Sequence, residues 1–366
     1  MKFWMVIVVL VISYGSRACT TFFLKEKGAL IFGMNYDWLF GRGYLVQNNK
    51  CIAKTAFEQK NPAEWVSSYG SITFNQYGID FPICGMNETG LAIGVMWHVI
   101  SIYPFFADKR KEIDNMQWVQ YQLDNCSSVD DVIATDQFLR VNPVSKAKVH
   151  YLVADAGGNC AAIEFFHGRM KVSRGDGLPV AVLTNSTYHR TAARLDKYAS
   201  WGGSRPIPSG SGTQDRFMRT AHHLCRDDTG HTSALAKARF VLKQAEQPDY
   251  TKWSIAFDLI AGRIHFKTLH TKHYRSFDVP EAAFECGSGL LLADIAAPGD
   301  VLLSEAWRPY SRDLHVDLVK GSFFNTPLLR YMPMKFLQST WEYPETHECR
   351  IQMQAEKSVH QTNPQH

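Results

Sequence analysis

Cys19 is the residue of this sequence whose type and position best fit a nucleophile. It directly follows Ser16-Arg17-Ala18, which places small residues three and one positions before it, as a signal peptidase requires. Cleavage after Ala18 would give Cys19 a free α-amine with a pKa of about 7.7–8.0, so that its neutral form can accept a proton near neutral pH. One residue would then supply both the attacking thiol and the base that activates it. Such a site needs no catalytic histidine.

The segment before Cys19 has the features of a signal peptide over residues 1–18. Lys2 supplies a positive charge, and residues 3–12 form an unbroken apolar run of ten. That run is shorter than the roughly 20 residues of a transmembrane helix. The sequence therefore predicts an exported protein, periplasmic or extracellular, without stable membrane insertion. Two alternatives for Cys19 remain open: lipidation, which Ser16 and Arg17 fit poorly, and a purely structural cysteine.

A predicted hairpin returns an acidic residue to the neighbourhood of Cys19. Residues 20–24 and 29–33 have the pattern of two strands, with a Lys-Glu-Lys-Gly turn between them. The returning strand leads to Asp37, whose carboxylate could hold the α-amine in place. The structural alternative is an ordinary turn residue, since Asp is common after strands.

Six short motifs, in this order along the chain, resemble those of the choloylglycine hydrolase family. They are Cys-Thr-Thr-Phe at 19–22, Phe-Gly-Met-Asn-Tyr-Asp-Trp at 32–38, Gly-Met-Asn-Glu-Thr-Gly-Leu at 85–91, Val-Leu-Thr-Asn-Ser at 182–186, Asp-Arg-Phe at 215–217 and Trp-Ser-Ile at 253–255. The family includes bile salt hydrolases and penicillin V acylases, which cleave linear amide C–N bonds with an N-terminal nucleophile. The resemblance runs to about residue 286, and the order of the six motifs makes it specific.

The resemblance implies a catalytic role for four residues. Cys19 resembles the nucleophile, Asp37 the carboxylate that binds its amine, Asn185 the oxyanion-hole side chain and Arg216 the arginine beside the catalytic centre. A preorganised donor at an oxyanion is worth about 2.7–4 kcal/mol. A guanidinium near the thiol favours the thiolate.

The resemblance also implies substrate contacts by Trp97, Trp38 and Met34. Trp97 falls where relatives place a residue of the oxyanion and substrate wall. Met34 stands three residues before Asp37, where the family usually has Arg. The missing charge would remove a partner of the thiolate, so we expect an effect on rate and do not assume a bile salt substrate. We expect Met34 to line an apolar acyl pocket.

The order of predicted elements indicates an α+β fold in a single domain. Strands are predicted at 71–78, 81–97, 150–154, 160–166, 170–173, 179–184, 253–258 and 265–269, and helices at 115–125, 129–141, 215–226 and 233–247. The resemblance adds the arrangement, a four-layer αββα sandwich of two antiparallel sheets between helical layers. We expect the domain to cover residues 19–342, followed by a loose polar tail over 343–366.

Composition excludes several other classes of protein. The 366 residues carry 39 Lys and Arg against 35 Asp and Glu, a net charge of +4 without a basic block, which gives no reason to expect a nucleic-acid partner. His222, His223, Cys225, Asp227 and His231 match no zinc spacing, so no metal and no other cofactor is predicted. Relatives are often oligomers, and the resemblance therefore allows a homo-oligomer.

The sequence thus predicts an exported cysteine amidase that acts through an acyl-thioester on Cys19. Its predicted partner is a small N-acyl amide: a penicillin V-like compound, an N-acyl homoserine lactone, a conjugated bile acid or a fatty amide. Two alternatives use the same fold: a weakly active or inactive ligand-binding protein, which the Met34 replacement would fit, and an acyltransferase. Cys19, Asp37, Asn185 and Arg216 together favour the enzyme, because a binding protein does not need that set.

Overall fold

The computed structural model of the chain describes residues 19–26, 28–144, 147–226, 230–271, 273–279, 283–297, 306–327 and 329–350. The predicted signal peptide over residues 1–18 lies outside these ranges, and so does the last part of the predicted tail, residues 351–366. None of the described helices is both long and apolar enough to cross a bilayer.

A six-stranded antiparallel sheet carries the N-terminal hairpin. Its strands, from one edge to the other, are β14 (Val182–Thr184), β1 (Thr20–Glu26), β2 (Ala29–Asp37), β15 (Thr251–Asp258), β16 (Arg263–Thr268) and β17 (Arg275–Asp278). Gly28 closes the hairpin at φ +75°, a conformation that a glycine adopts without a Cβ clash. The predicted hairpin is confirmed, and Asp37 ends β2 two residues beyond Asn35, which pairs with Thr20, the first residue of β1.

A nine-stranded antiparallel sheet lies opposite. Its strands, in spatial order, are β13 (Arg169–Arg174), β12 (Cys160–Phe166), β11 (Val149–Ala154), β8 (Ala92–Trp97), β7 (Pro82–Asn87), β6 (Ser71–Asn75), β3 (Tyr44–Asn48), β18 (Leu291–Asp294) and β19 (Arg308–Pro309). Two small sheets complete the strands: β9 (Lys111–Ile113) with β10 (Leu139–Val141), and β4 (Ile52–Thr55) between β5 (Glu64–Val66) and β20 (Glu348–Cys349).

Helices cover the outer faces of both sheets. In chain order they are α1 (Gln117–Asn125), α2 (Val129–Ala134), α3 (Tyr188–Ala192), α4 (Thr213–Cys225), α5 (Ala234–Ala245), α6 (Arg312–Asn325) and α7 (Met334–Glu342). α4 and α5 pack on the six-stranded sheet, whereas α1 packs on β7 and β8 of the other sheet. Two serines, Ser128 and Ser233, cap the N-termini of α2 and α5. The predicted α+β fold with antiparallel sheets between helices is confirmed.

The main apolar core fills the space between the two sheets and extends beneath α4 and α5. The sheets come close at Gly94 of β8, because the sulfur of Met34 on β2 lies only 3.1 Å from the place that a Cβ on Gly94 would take. A second core lies between the nine-stranded sheet and the helices α1 and α2.

The helix predicted over 129–141 is wrong in its second half. The helix α2 ends at Ala134, and residues 139–141 form β10 instead. The hydroxyl of Thr135 donates to the carbonyl of Val132, which competes with helix continuation, and Arg140 pairs with Glu112 on β9. Both Arg140 and Glu112 are buried, so tertiary pairing overrides the local helical pattern.

The loose tail predicted from residue 343 is wrong for its first eight residues. The Tyr343 hydroxyl donates to the carbonyl of Thr55 at 2.8 Å. Strand β20 pairs with β4, and Cys349 forms a disulfide with Cys286. Polar composition misled the prediction because the packing of Tyr343 against Phe57 and Phe81, the cross-strand pairing and the disulfide hold this segment.

Candidate active site

Cys19 lies at the start of β1, buried, at the end of an apolar cavity of about 320 Å³. The cavity is lined by Cys19, Tyr36, Trp38, Phe57, Tyr77, Phe81, Ile83, Val95, Trp97, Asp114, Met116, Ala147, Val149, Phe323, Leu329, Met332, Phe336 and Thr340. Trp38 and Trp97, both predicted to bind substrate, form part of this wall, with ring centroids 6.2 Å apart. The Trp38 indole donates to the Tyr77 hydroxyl at 2.6 Å, which fixes one aromatic side of the cavity.

A buried ion pair lies beside the backbone of Cys19. Nη1 of Arg216, on α4, lies 3.2 Å from the carbonyl oxygen of Cys19 and 3.3 Å from Oδ2 of Asp37, and also donates to Thr20 Oγ1. Both ionised side chains are fully buried. The structure therefore brings together Cys19, Asp37 and Arg216, three of the four residues predicted to be catalytic.

Two further side chains hold the Asp37 carboxylate. Gln247 Nε2 donates to Oδ2 at 2.8 Å, and the Thr251 hydroxyl donates to Oδ1. Burial raises the pKa of Asp37 to about 6, although Arg216 and these two hydrogen bonds favour the charged form. At neutral pH the carboxylate remains ionised and directed to the start of β1.

The Cys19 thiol is protonated in these surroundings. Burial, with the nearby Asp37 carboxylate as a second cause, raises the pKa of Cys19 to about 12, and the Arg216 charge opposes this only in part. Before any cleavage at Cys19, the thiol is therefore not a preformed thiolate at neutral pH. A base in contact with Sγ is needed when the thiol attacks, and a free α-amine on Cys19 would meet that need.

Asn185 reaches Cys19 through the pairing of the edge strand β14 with β1. Thr184 is opposite Thr20 in this antiparallel register, so the next residue, Asn185, comes opposite Cys19. Oδ1 of Asn185 is buried and accepts no hydrogen bond from any described residue. No hydrogen bond from a described residue to Oδ1 therefore fixes the orientation of the Asn185 side-chain amide.

Met34 is not on the cavity wall, contrary to the sequence prediction. It lies in the core between the sheets with no exposed surface and packs against Gly94. In the strand register it is opposite Thr21 of β1 on one side and Ile255 of β15 on the other. Tyr36, two residues further along the same strand face, takes the cavity position. Alternation along β2 sends Met34 and Tyr36 to the same side, but only Tyr36 lies far enough along the strand to reach the cavity.

Sequence reasoning missed one whole side of the cavity. Phe323 on α6, Phe336 and Thr340 on α7, and Leu329 and Met332 between these helices line it. Gln247 and Thr251, which hold Asp37, were missed as well. Their signal is faint, since a Thr two residues before the Trp-Ser-Ile motif has no distinctive spacing.

One group of three side chains with metal-ligand chemistry occurs among the described residues: His98, His150 and Glu164, whose ligand atoms lie within 4.8 Å of one another. The two imidazole rings are stacked, with centroids 4.3 Å apart and planes 4° from parallel. An imidazole lone pair lies in the ring plane, and one ion cannot lie in two parallel planes held one above the other. The geometry therefore does not fit a metal site.

Comparisons with known proteins agree with the order of motifs. The sequence profile of the family described as linear amide C–N hydrolases, choloylglycine hydrolase family, matches residues 19–288. A penicillin V acylase from Pectobacterium atrosepticum is 29% identical over 178 residues. That match covers 44% of this chain and 46% of the relative, so the chain spans about half the length of the curated relative it matches.

Two solved structures share the fold. A penicillin V acylase from Agrobacterium tumefaciens superposes with a TM-score of 0.68 at 22% identity, over 80% of this chain and 98% of that protein. A variant of the conjugated bile acid hydrolase from Clostridium perfringens gives a TM-score of 0.64 at 18% identity, over 77% of this chain and 100% of that protein.

Proposed function

Because this chain belongs to the choloylglycine hydrolase family of linear amide C–N hydrolases, we propose that it hydrolyses N-acyl amides with an apolar acyl group. Cys19 is the proposed nucleophile, and an acyl-thioester on its sulfur is the proposed intermediate. The observation that carries this proposal is the position of Cys19, whose thiol side faces the apolar cavity while its backbone contacts Arg216.

The cavity wall supports the choice of an apolar acyl group. Its polar side-chain groups are the hydroxyls of Tyr36, Tyr77 and Thr340, the indole N–H groups of Trp38 and Trp97, the carboxyl of Asp114 and the Cys19 thiol. No Lys, Arg or His of the described chain lines it. An acyl group that carries a carboxylate would be desolvated there without a cation to pair with it. Aryl-acetyl and fatty acyl amides fit these surroundings better than the hydroxyl-rich steroid of a conjugated bile acid.

In the proposed reaction, cleavage of the Ala18–Cys19 bond frees the α-amine, and Asp37 keeps it close to the thiol. The amine takes the proton from Sγ as the sulfur attacks the amide carbonyl, and Asn185 donates to the oxyanion that forms. Collapse of this intermediate breaks the C–N bond, and the α-ammonium returns the proton to the leaving amine. Water, deprotonated by the same amine, then hydrolyses the thioester and frees Cys19.

Export is part of the proposal. The Cys286–Cys349 disulfide supports it, because structural disulfides persist mainly in oxidising compartments outside the cytosol. The residues before Cys19 support it through their signal-like pattern. N-terminal sequencing of the exported protein should show Cys19 first, with a free amine, and a chain that starts elsewhere would contradict the mechanism.

The deciding experiment is a hydrolysis panel with the mature protein. Phenoxyacetyl, fatty acyl, N-acyl homoserine lactone and conjugated bile acid amides are compared, and intact mass spectrometry after rapid acid quenching detects an acyl adduct on Cys19. Turnover of the aryl-acetyl or fatty amides and its loss in Cys19→Ala are expected, whereas Cys160→Ala, a matched change of another cysteine, should retain activity. Absence of turnover with all four classes would refute the proposed function, and preferential transfer to an added amine would indicate an acyltransferase.

A further inference from the structure

A buried cluster of His98, His150 and Glu164 lies next to the candidate site but takes no part in the proposed reaction. Two of the three residues belong to the nine-stranded sheet, His150 on β11 and Glu164 on β12, and His98 directly follows Trp97 at the end of β8. Each has at most 1% of its side chain exposed. Titratable groups buried to this degree require partners, and the identity of those partners indicates what the cluster does.

The cluster makes three hydrogen bonds to one short segment, residues 184–188, which begins at the end of β14. His150 Nε2 lies 2.7 Å from the Thr184 carbonyl oxygen, and His98 Nε2 lies 3.2 Å from the Thr187 hydroxyl. Glu164 Oε1 accepts from the backbone N–H of Tyr188 at 3.0 Å. Three hydrogen bonds therefore enclose Asn185, one before it along the chain and two after it.

Strand register explains why Thr184 needs such a partner. Phe23 N–H donates to the Ala181 carbonyl at 2.8 Å, and hydrogen-bonded pairs alternate along antiparallel strands. The carbonyl of Thr184, three residues after Ala181, therefore points away from β1. Since β14 is the edge of its sheet in the described part of the chain, no described strand lies on that side, and His150 supplies the donor that a neighbouring strand would otherwise give.

The hydrogen-bond partners of the two imidazoles indicate which ring nitrogens carry a hydrogen. A carbonyl only accepts, so His150 Nε2 must carry a hydrogen. The Ser101 hydroxyl donates to the Val149 carbonyl and so accepts from His98 Nδ1, which leaves Nε2 of His98 to accept from Thr187. His150 Nδ1 lies 3.2 Å from the Glu164 carboxylate, which keeps the imidazole of His150 oriented toward Thr184.

We propose that His98, His150 and Glu164 are positioning residues that hold the Thr184–Tyr188 segment so that Asn185 remains directed at the oxyanion formed on the Cys19 adduct. The Asn185 side chain has a buried Oδ1 without a partner among the described residues, so its orientation depends on the backbone that the cluster fixes. This inference rests on the proposed function, because it needs Asn185 to be the oxyanion donor.

The test is a double-mutant cycle between His150→Phe and Asn185→Ala, measured on the amide that the mature protein hydrolyses best. His150→Phe keeps a flat ring in the stack but removes the donor to Thr184. It should lower kcat by about 10- to 100-fold with KM within about threefold, because a misplaced donor is felt mainly in the transition state. In the Asn185→Ala background the same change should cause no further loss. His150→Gln, which keeps an N–H donor, should recover most of kcat.

Active-site titration by the acyl-enzyme burst separates this effect from misfolding, since kcat is then counted per functional Cys19. His315→Phe is the matched control, because His315 is equally buried and bonds the Ile79 N–H and the Trp341 carbonyl far along the chain from Asn185. It should lower stability and leave kcat unchanged. If His150→Phe does not fold, Thr187→Val removes one contact of the segment and enters the same cycle.

Equal losses from His150→Phe with and without Asn185 would overturn the inference while leaving the proposed amidase intact. A rise in KM at constant kcat would overturn it as well. An Asn185→Ala variant with normal kcat would overturn both the oxyanion role and the inference, whereas failure of the wild-type protein to hydrolyse any amide would refute the proposed function itself.

Discussion

Two buried clusters of this fold each pair a cation with carboxylate, and they differ in the number of carboxylates that the cation meets. Lys54 donates to Asp80 at 2.7 Å and to Asp124 at 3.0 Å, and Asp124 accepts from Trp65 as well. Arg216 also meets a carboxylate, but its Nη2 is buried without a hydrogen-bond partner among the described residues.

The difference indicates two uses of a buried charge. The Lys54 cluster joins β4 to the helix α1 and faces His347, close to the Cys286–Cys349 disulfide, so it ties distant parts of the chain together. The Arg216 cluster lies at the nucleophile and keeps an unused donor, which costs about 1–3 kcal/mol when it is buried. Lys54, paired with two carboxylates, stabilises the fold, whereas Arg216 beside Cys19 pairs with one carboxylate and keeps a donor without a partner among the described residues.

The largest expected effect is on stability, from the Lys54 cluster. Lys54→Met leaves two buried carboxylates without their cation and should lower the free energy of unfolding by about 3–5 kcal/mol. Below the melting temperature, kcat should not change, because none of these side chains touches the cavity. Chemical denaturation and steady-state kinetics on the same preparation test both parts. A lower kcat in fully folded Lys54→Met protein would contradict the distinction between the two clusters.

The next effect is on activity, from the Arg216 cluster. Asp37→Asn keeps the shape of the side chain but removes the charge that holds the α-amine. It should lower kcat/KM by about 100-fold or more. Stability should not fall, because the raised pKa of Asp37 means that the folded state favours a neutral side chain at this position. Asp124→Asn is the matched control in the other cluster and should keep kcat/KM. Equal activities of the two variants would contradict the assignment.

The pH profile should sharpen the same contrast. Neutralisation of the α-amine, with an ordinary pKa of about 7.7–8.0, gives log kcat/KM a slope of one on the acid side. Because the pKa of Asp37 is raised to about 6, protonation of Asp37 should steepen the slope to two below about pH 6. In Asp37→Asn the slope should stay at one. A single slope down to pH 4.5 in the wild type would show that the Asp37 charge is not needed.

Protonation of Asp37 should affect folding stability in the direction opposite to its effect on activity. A carboxyl whose pKa is higher in the folded state than in the unfolded state binds its proton more tightly when folded. Its contribution to stability is present below about pH 4 and is lost as the pH rises through about 6. Acid therefore inactivates this site without destabilising it through Asp37.

The smallest expected effect concerns Met34, which lies in the core outside both clusters. Met34→Leu conserves volume and should cost less than about 1.5 kcal/mol of unfolding free energy. The ratio of turnover between short and long acyl amides should remain the same, because the side chain lines no part of the cavity. A changed ratio would indicate that Met34 contacts the acyl group, as the sequence alone predicted.

The residues that carry the local chemistry could be predicted from the sequence alone. A cysteine after a cleavable segment, the β1–β2 hairpin that returns Asp37, and the ordered motifs at Asn185 and Arg216 predicted the family, the fold class and the candidate catalytic set. Hairpins and amphipathic helices are specified by neighbours a few residues apart, so their patterns can be read along the chain.

Only the tertiary structure decided which distant residues meet. Arg216 approaches Cys19 because α4 packs on β1, and Asn185 does so because β14 pairs at the edge of the sheet. The cavity side formed by α6 and α7, the ordering of residues 343–350, the core position of Met34 and the histidine cluster behind Asn185 likewise depend on pairings between segments far apart in sequence. Such contacts leave no period in the sequence, because each depends on where a whole sheet or helix comes to rest.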